Sequence, residues 1–480
     1  MNENRETTLK YLRWTVWTYF WLLLVEGSLR KWVVPQLATP LLLVRDPVVL
    51  VAYVLAWRAG IFPRNWWVVS LSIIAGLSFA MALIPLWNYV TPFRILLVAG
   101  YGFRCNFLHL PFMFVIARCF RPEDVKKLGW WTLLILGPMA LLMVAQFQTS
   151  PDSFLNRTST GEGEMMTSAL GRVRTAGPFS FVVGVAAYFA LATAFLVWAA
   201  LRRDVYRLWL LGFAGSALVI GIAVSGSRTV VAACALVVAS LILVFFLRPS
   251  AVNRVGQVLI VILIVGFILI KTPIFKEGFN VLSTRFNEVA VANDTSVSGS
   301  LVERILDDVE DFRYVYTKAP LLGFGLGVGT NGGAKILTGE SGFLLSEVEW
   351  SRIFLESGPL LGLAFVLWRV GFTAVVGLQC LGTVIKHGDL LPLLLISASA
   401  SQLSMGQLGQ PTILGFAVFV TGLALAARQQ EGAEQDSESV SVFSRELAQP
   451  PPRLPSNSPN ARRLHESNNG RDHENGFVDR

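Results

Sequence analysis

Long apolar runs separated by short polar loops fill most of the 480-residue chain. A helix needs about twenty predominantly apolar residues to cross the hydrocarbon core of a bilayer, and the runs match that length. The pattern predicts about twelve membrane-spanning helices. These predicted spans cover residues 10–26, 39–57, 66–88, 94–117, 129–147, 178–200, 207–224, 229–247, 256–271, 352–379, 388–408 and 411–428. The predicted fold class is therefore all-α, a polytopic transmembrane helical bundle.

Two polar loops interrupt the apolar pattern, a short one at residues 148–177 and a long one at residues 271–350. Within the long loop, Leu301–Tyr316 has apolar residues at helical spacing and predicts an amphipathic helix. We expect residues 1–428 to form one membrane domain in which the long loop contains short helices. Residues 429–480 are rich in Ser, Pro, Asn, Glu and Arg, a composition that predicts a disordered tail.

Basic residues lie in short clusters in alternate loops, as in the loop that contains Arg58 and Arg64. Loops of this kind stay in the cytoplasm of polytopic proteins. This rule predicts that both termini are cytoplasmic and that both polar loops, 148–177 and 271–350, are external. The short loop is expected either to cover a substrate or simply to connect two helices.

The composition agrees with a membrane protein, because 53% of the residues are hydrophobic and only 15% are charged. The net charge of +8 comes from the loop clusters and forms no basic stripe, so we expect no binding of nucleic acid. Four cysteines are scattered without paired spacing, and His109 and His387 are far apart. We therefore expect no metal site, no disulfide and no cofactor.

Several arginines lie near the predicted external ends of the spans. A guanidinium group is planar and always charged, and it binds phosphate oxygens two at a time, so these arginines suit a lipid-linked diphosphate. The alternative is that each arginine extends to the interface or pairs with Asp46, Glu26 or a neighbouring carboxylate. Arg228 is the strongest candidate, because the sequence SGSR at 225–228 joins two spans by a very short hairpin. The candidate diphosphate ligands are Arg104, Arg174, Arg228, Arg304 and Arg352.

Glu347 and Glu349 precede the apolar helix that carries Glu356 and Gly358. Acidic residues in the first turn of a helix are stabilised by the helix dipole, which alone accounts for carboxylates at this place. The other hypothesis is that one of them is catalytic and takes a proton from a substrate hydroxyl. A glutamate free in water has a pKa of about 4.3, so a general base near neutral pH requires partial desolvation. Both hypotheses remain open from the sequence.

In combination, these motifs resemble the O-antigen ligase and polymerase-like family of bacterial membrane glycosyltransferases. The similar features are SGSR before an apolar span, the long polar loop, the sequence PLLGFGLGVGTN at 320–331, and an E-x-G-x-x-G motif from Glu356 to Gly362. The resemblance covers roughly residues 178–428. It implies the inner membrane of a bacterium as the location.

The resemblance also implies transfer of a glycan from an undecaprenyl-diphosphate carrier to a saccharide or lipid-linked saccharide acceptor, at the periplasmic face and without a metal. Arg228 and Arg304 match the family's diphosphate-binding positions. The family often has a His-Asn pair at the position of Glu347 and Val348 here. A glutamate therefore stands where the histidine usually activates the acceptor.

Two other classes of protein remain as alternatives. A transporter or flippase of a polysaccharide precursor usually has repeated halves, discontinuous helices and charges near the bilayer midplane. A non-catalytic assembly protein is favoured by the missing histidine. The sequence does not distinguish a ligase from a polymerase, because the two differ in the acceptor.

Overall fold

A computed structural model gives the fold of the chain. It describes residues 2–87, 91–158, 171–202, 204–247, 319–340 and 342–448, together with 273, 276–281, 283, 284 and 315. These residues form helices and no strand, which confirms the predicted all-α class for the described part. The predicted span at 256–271 lies outside the described residues, as does nearly all of the predicted helix Leu301–Tyr316.

The helices are numbered here in chain order. The bounds are α1 Asn2–Ser28, α2 Asp46–Arg58, α3 Trp66–Trp87, α4 Pro92–Phe103, α5 Phe112–Cys119, α6 Pro122–Gln148, α7 Val182–Leu201, α8 Leu208–Val224, α9 Arg228–Leu247, α10 Asn331–Thr338, α11 Glu349–His387, α12 Leu391–Met405 and α13 Pro411–Ala448. Short helical turns at Leu29–Val33, Pro35–Leu37 and Ala38–Leu41 connect α1 to α2, and Arg104–Leu108 continues α4. Helix α10 is a short helix within the long polar loop, as predicted.

Seven described segments are long and apolar enough to cross a membrane, rather than the expected twelve. They are Pro35–Arg58, Trp66–Trp87, Pro92–Cys119, Pro122–Gln148, Val182–Leu201, Glu349–His387 and Pro411–Gln429. Helices α8, α9 and α12 are also apolar, but their apolar segments are only 10–17 residues long. Helix α1 is long enough, but its tryptophans and tyrosines, with Arg13 and Glu26, lower its hydropathy. The predicted count of about twelve is therefore not confirmed, because four predicted spans fall on these short or aromatic-rich helices and the one at 256–271 lies outside the described residues.

The outer helices expose apolar surface, as expected of helices in contact with lipid. The apolar stretch of α3 has a mean hydropathy of 2.2, yet only 28% of its residues are buried within the protein. The core lies around α7 and the first part of α13. In the apolar stretch of each of these helices, 83% of the residues are buried. An apolar surface of this extent is stable in a bilayer and not in water.

Contacts between helix ends define the end of the bundle that holds the basic loops. The guanidinium of Arg118, near the end of α5, donates to the carbonyl groups of Ile61 and Phe62, at 3.0 and 3.2 Å. Tyr206 donates its hydroxyl to the carbonyl of Lys126, near the start of α6, at 2.6 Å. The α2–α3, α5–α6 and α7–α8 connections therefore lie together. The described basic residues of these three connections, which are predicted to be cytoplasmic, therefore share this end.

The chain divides into two units, Met1–Gln430 and Glu431–Arg480. Helix α13 continues to Ala448, so the first part of the predicted disordered tail is helical. Its sequence after Ala427 is RQQEGAEQ, which is rich in good helix formers and continues the helix although it is polar. The remaining residues 449–480 lie outside the described part.

Candidate functional site

Helix α11 is broken at Gly358. This residue has φ 75° and ψ 170°, which lie outside the helical range, and Pro359 follows it. Proline is favoured in the first turn of a helix, so residues 359–387 form a new helix. The first segment, 349–357, lies back along the second, because the Cβ position of Gly362 is 3.0 Å from the Cα atom of Phe354. The predicted single span at 352–379 is therefore two helical segments, and the E-x-G-x-x-G motif marks the break.

The glycine-rich loop that precedes α10 satisfies the backbone groups freed by this break. Phe324 donates its amide to the carbonyl of Leu355 at 2.7 Å, and Gly325 donates to Glu356 at 3.1 Å. The fit depends on glycine, since a Cβ atom at Gly323 would lie 2.4 Å from the Glu356 carbonyl oxygen. The alternating glycines thus pack against a broken helix. This packing explains why the spacing of the glycines differs from that of a dinucleotide-binding loop.

A buried group of ionised side chains fills the space inside the bend. Arg352 donates to Glu349 through Nε and Nη2 at 2.9 and 3.0 Å, and to Glu356 through Nη1 at 2.7 Å. Arg369, which is fully buried, donates to Glu349 at 2.7 Å. Asn106 accepts from Arg352 at 2.9 Å. We call these five residues the ion cluster.

The ion cluster balances its own charge. It contains the two carboxylates of Glu349 and Glu356 and the two guanidinium groups of Arg352 and Arg369. Backbone amides complete it, because Gly329 donates to Glu356 at 2.9 Å and Leu408 donates to Glu349 at 3.2 Å. Buried charges persist in proteins when they are paired and hydrogen-bonded in this way. The cluster thus ties the glycine loop to α11 and to the turn before α13.

A small cleft opens beside the ion cluster, with about 280 Å³ of empty space. Residues with amide, hydroxyl and carboxylate side chains contribute to its wall, although most of the accessible lining is apolar, and the buried Arg352 is among the lining residues. The lining residues are Gly329, Thr330, Asn331, Phe343, Ser346, Glu347, Arg352, Gln407, Gly409 and Gln410. A mostly apolar wall with a few donors and acceptors is the usual composition of a small-molecule site.

The two candidate carboxylates have different surroundings. Glu347 is exposed and lines the cleft, and the carbonyl of its backbone accepts a hydrogen bond from the side chain of Gln407. Glu349 is 3% exposed, and both of its oxygens accept hydrogen bonds within the ion cluster. Of the two, Glu347 is the carboxylate that a substrate in the cleft can reach.

Among the candidate arginines, Arg352 and Arg104 are engaged by protein groups. Arg352 uses four of its five N–H donors in the ion cluster. Arg104 pairs with Asp46 at 2.8 Å and also donates to the carbonyl of Leu42. Asp46 in turn bonds the ring of His109 at 2.8 Å. Both arginines thus hold elements together, and Arg352 additionally faces the cleft.

Arg228 and Arg174 lie in a second neighbourhood, around the hairpin between α8 and α9. Thr175 donates its hydroxyl to the carbonyl of Val224 at 3.1 Å, which joins the segment of Arg174 to the end of α8. Arg228 begins α9 and is partly exposed. Helix α9 packs against α12, whose C-terminal end leads into Gln407 of the cleft. Arg304 lies outside the described residues.

The motif EGSLRKW at 26–32 carries an arginine–glutamate pair of the kind that the pairing alternative describes, and contacts of Lys31 that the sequence did not predict. Glu26 pairs with Arg45 at 3.0 Å, and Arg45 reaches the carbonyl of Pro411 at the start of α13. The buried amine of Lys31 donates to the carbonyl groups of Gly177 and Phe179, at 2.8 and 2.9 Å. Charges next to an apolar span signal such pairing, but their partners are distant in sequence. The motif fastens α1 to the short polar loop and to α13.

Comparisons with known proteins add no family to this description. No protein-family profile, curated protein or solved structure matches the chain.

Proposed function

We propose that this protein is a membrane glycosyltransferase of the O-antigen ligase or polymerase-like kind. It would move a glycan from an undecaprenyl-diphosphate carrier to a saccharide hydroxyl at the periplasmic face of a bacterial inner membrane. One observation supports the proposal: Glu347 and Arg352, a carboxylate and a guanidinium group predicted to act on the same substrate, line a single small cleft.

In the proposed reaction, the carboxylate of Glu347, which is exposed in the free protein and loses water when substrate fills the cleft, takes the proton of the acceptor hydroxyl. The hydroxyl oxygen then attacks the anomeric carbon of the donor, forming a glycosidic bond. The bond from that carbon to the carrier diphosphate breaks, and the diphosphate leaves with the electron pair. The proton remains on Glu347 until it passes to water, so the step balances without a further reactant.

The charge of the leaving diphosphate needs cations beyond the ion cluster. The two carboxylates and two guanidinium groups of that cluster cancel, and Arg352 has one N–H donor left for a ligand. Arg228 and Arg174 at the neighbouring hairpin are the proposed diphosphate ligands. Guanidinium groups placed where negative charge develops stabilise the transition state, and such electrostatic stabilisation often contributes more to catalysis than any other effect.

The test is transfer of a radiolabelled glycan from a purified lipid-linked donor by the full-length protein in liposomes. We expect Glu347→Gln to lower the rate by at least about 100-fold, the range typical for loss of a general base, while donor binding is retained. Glu340→Gln is the matched control, because Glu340 is exposed in the same loop and is not part of the cleft lining. An unchanged rate in Glu347→Gln would exclude Glu347 as the base.

A transporter of the lipid-linked precursor is the second candidate, and the break at Gly358 favours it. Transporters commonly bind their substrates at discontinuous helices. In the same liposomes, movement of the donor across the bilayer without formation of a glycosidic bond would support transport and overturn the transferase proposal.

A further inference from the structure

A groove between α1 and α6 lies at the end of the bundle that holds the basic loops, and it shares no residue with the ion cluster or its cleft. It is an open groove with about 1020 Å³ of space, part of which is continuous with the surroundings of the protein. Its lining residues are Lys10, Arg13, Trp14, Trp17, Thr18, Trp21, Asp124, Lys127 and Trp131.

The groove is amphiphilic along its length. Lys10, Trp14, Trp17 and Trp21 follow one another at spacings of four, three and four residues and so form a single stripe on α1. The cations are concentrated at one end of the stripe, and the tryptophans Trp17 and Trp21 lead away from it. Trp14 and Trp21 are 59% and 37% exposed, which leaves indole surface available to a ligand.

Contacts between the helices fix the walls of the groove. Arg13 pairs with Asp124 at 3.8 Å, and the rings of Trp21 and Trp131 meet edge to face at 5.3 Å. The amine of Lys127 lies 5.8 Å from the ring centre of Trp17. The two helices therefore form a defined surface between them, with polar contacts at one end and an aromatic contact at the other.

The charges at the polar end leave a positive excess. Three cations, Lys10, Arg13 and Lys127, lie beside the one carboxylate of Asp124. Asp124 already accepts hydrogen bonds at its own helix start, from the amide of Arg121 at 3.1 Å. The exposed amines of Lys10 and Lys127 remain for an anionic group.

The dimensions match one leaflet of a bilayer. A helix rises about 1.5 Å per residue, so the stripe from Lys10 to Trp21 is roughly 16 Å long. The hydrocarbon core of one leaflet is about 15 Å thick. Tryptophan and lysine are also the residues that lie at the boundary between headgroups and acyl chains.

We propose that this groove binds one anionic glycerophospholipid. The phosphate of the headgroup lies between Lys10 and Lys127, and one acyl chain packs along Trp14, Trp17 and Trp21. The proposal does not depend on the glycosyltransferase function. It predicts selection by headgroup charge, because the acyl part of the groove fits any phospholipid.

The test is native mass spectrometry of the delipidated full-length protein, titrated with phosphatidylglycerol or with phosphatidylcholine of the same acyl chains. We expect phosphatidylglycerol to remain bound at a higher stripping energy and at lower concentration. The double variant Lys10→Gln, Lys127→Gln should weaken its binding by about 25-fold, since each basic residue near anionic lipid contributes about fivefold. Lys386→Gln is the matched control, because Lys386 is an exposed lysine at the end of α11 and outside the groove.

Two results would overturn the proposal. One is equal retention of the two lipids by the unaltered protein, and the other is unchanged phosphatidylglycerol binding in the double variant. Circular dichroism of the double variant establishes that the helices are intact.

Discussion

Glu349 and Arg369 form a 2.7 Å ion pair although twenty residues separate them within α11. In a straight helix that separation corresponds to about 30 Å, which is more than the two side chains can bridge. The pair therefore exists only because the helix folds back at Gly358. It holds segment 349–357 beside the first half of segment 359–387.

Loss of Arg369 is expected to destabilise the protein strongly. The variant Arg369→Gln leaves the carboxylate of Glu349 buried with one guanidinium partner fewer, and breaking a buried pair in this way costs about 3–5 kcal/mol. The loss of stability is measured as a lower unfolding temperature in detergent. The folded fraction after heating is determined by size-exclusion chromatography. The double variant Glu349→Gln, Arg369→Gln should recover part of it, because no unpaired charge then remains at that position. Full stability of the single variant would contradict a structural role for the pair.

The same measurement separates the two hypotheses for Glu349. As a member of the ion cluster, Glu349 should reduce the yield of folded protein when replaced by glutamine. Glu347→Gln should instead leave thermal stability within about 0.5 kcal/mol, the usual range for an exposed position. A stable and inactive Glu349→Gln variant would restore Glu349 as a candidate base.

Gly358→Ala is expected to prevent correct folding. Gly358 has φ 75°, and an added Cβ atom would lie 2.1 Å from the carbonyl oxygen of Leu321. Both the backbone strain and the clash act at the point where the glycine loop meets α11. Gly377→Ala is the control within the same helix, because open space surrounds its Cβ position. Alanine there should be neutral or stabilising by up to about 1 kcal/mol, and equal unfolding temperatures for the two variants would be inconsistent with the break.

Lys31 is expected to make stability depend on pH. Burial lowers the pKa of its amine to about 7, against about 10.4 in an unfolded chain. Between these values the unfolded state binds more protons, so stability should rise with pH from about 7 to 10 and stay flat below 7 with respect to this group. A neutral amine still has two N–H donors for the carbonyl groups of Gly177 and Phe179.

The measurement for Lys31 compares unfolding temperatures of the unaltered protein and Lys31→Met from pH 6 to pH 9. The variant should be less stable at pH 9 and should lack this part of the rise. Parallel pH profiles for the two proteins would show that Lys31 keeps its proton throughout.

Arg228→Ala is expected to abolish glycan transfer under the proposed function while the protein remains in the membrane. The side chain supplies charge to the diphosphate, so Arg228→Lys should retain part of the activity by keeping the charge without the planar fork. Arg207→Ala, at the other end of α8, is the control. Surface glycan at the normal level in an Arg228→Ala strain would count against this assignment.

The sequence was informative where structure follows from local pattern. Apolar length located the helices, and the sequence identified the segment around Glu347 and Arg352 that lines the cleft. It did not predict the break in α11, because Gly358 and Pro359 lie inside an apolar run that reads as one span. The sequence indicated Asp46 as a partner for the arginines as a group, and Asp46 pairs with Arg104, but it did not predict the partner of Lys31, since Gly177 is far away along the chain. Pairing of buried charges depends on the folded arrangement of helices, which spacing alone does not contain.

The break at Gly358 also bears on the order of biogenesis. Segment 349–357 is made before the helix it lies against, and its ion pair needs Arg369, which leaves the ribosome later. The glycine loop must wait as well, because its acceptors are the carbonyl groups of Leu355 and Glu356. Insertion of residues 359–387 into the bilayer is therefore the event that allows both earlier segments to reach their final positions. A nascent chain truncated before Arg369 would hold the loop and the cleft residues unassembled at the membrane surface.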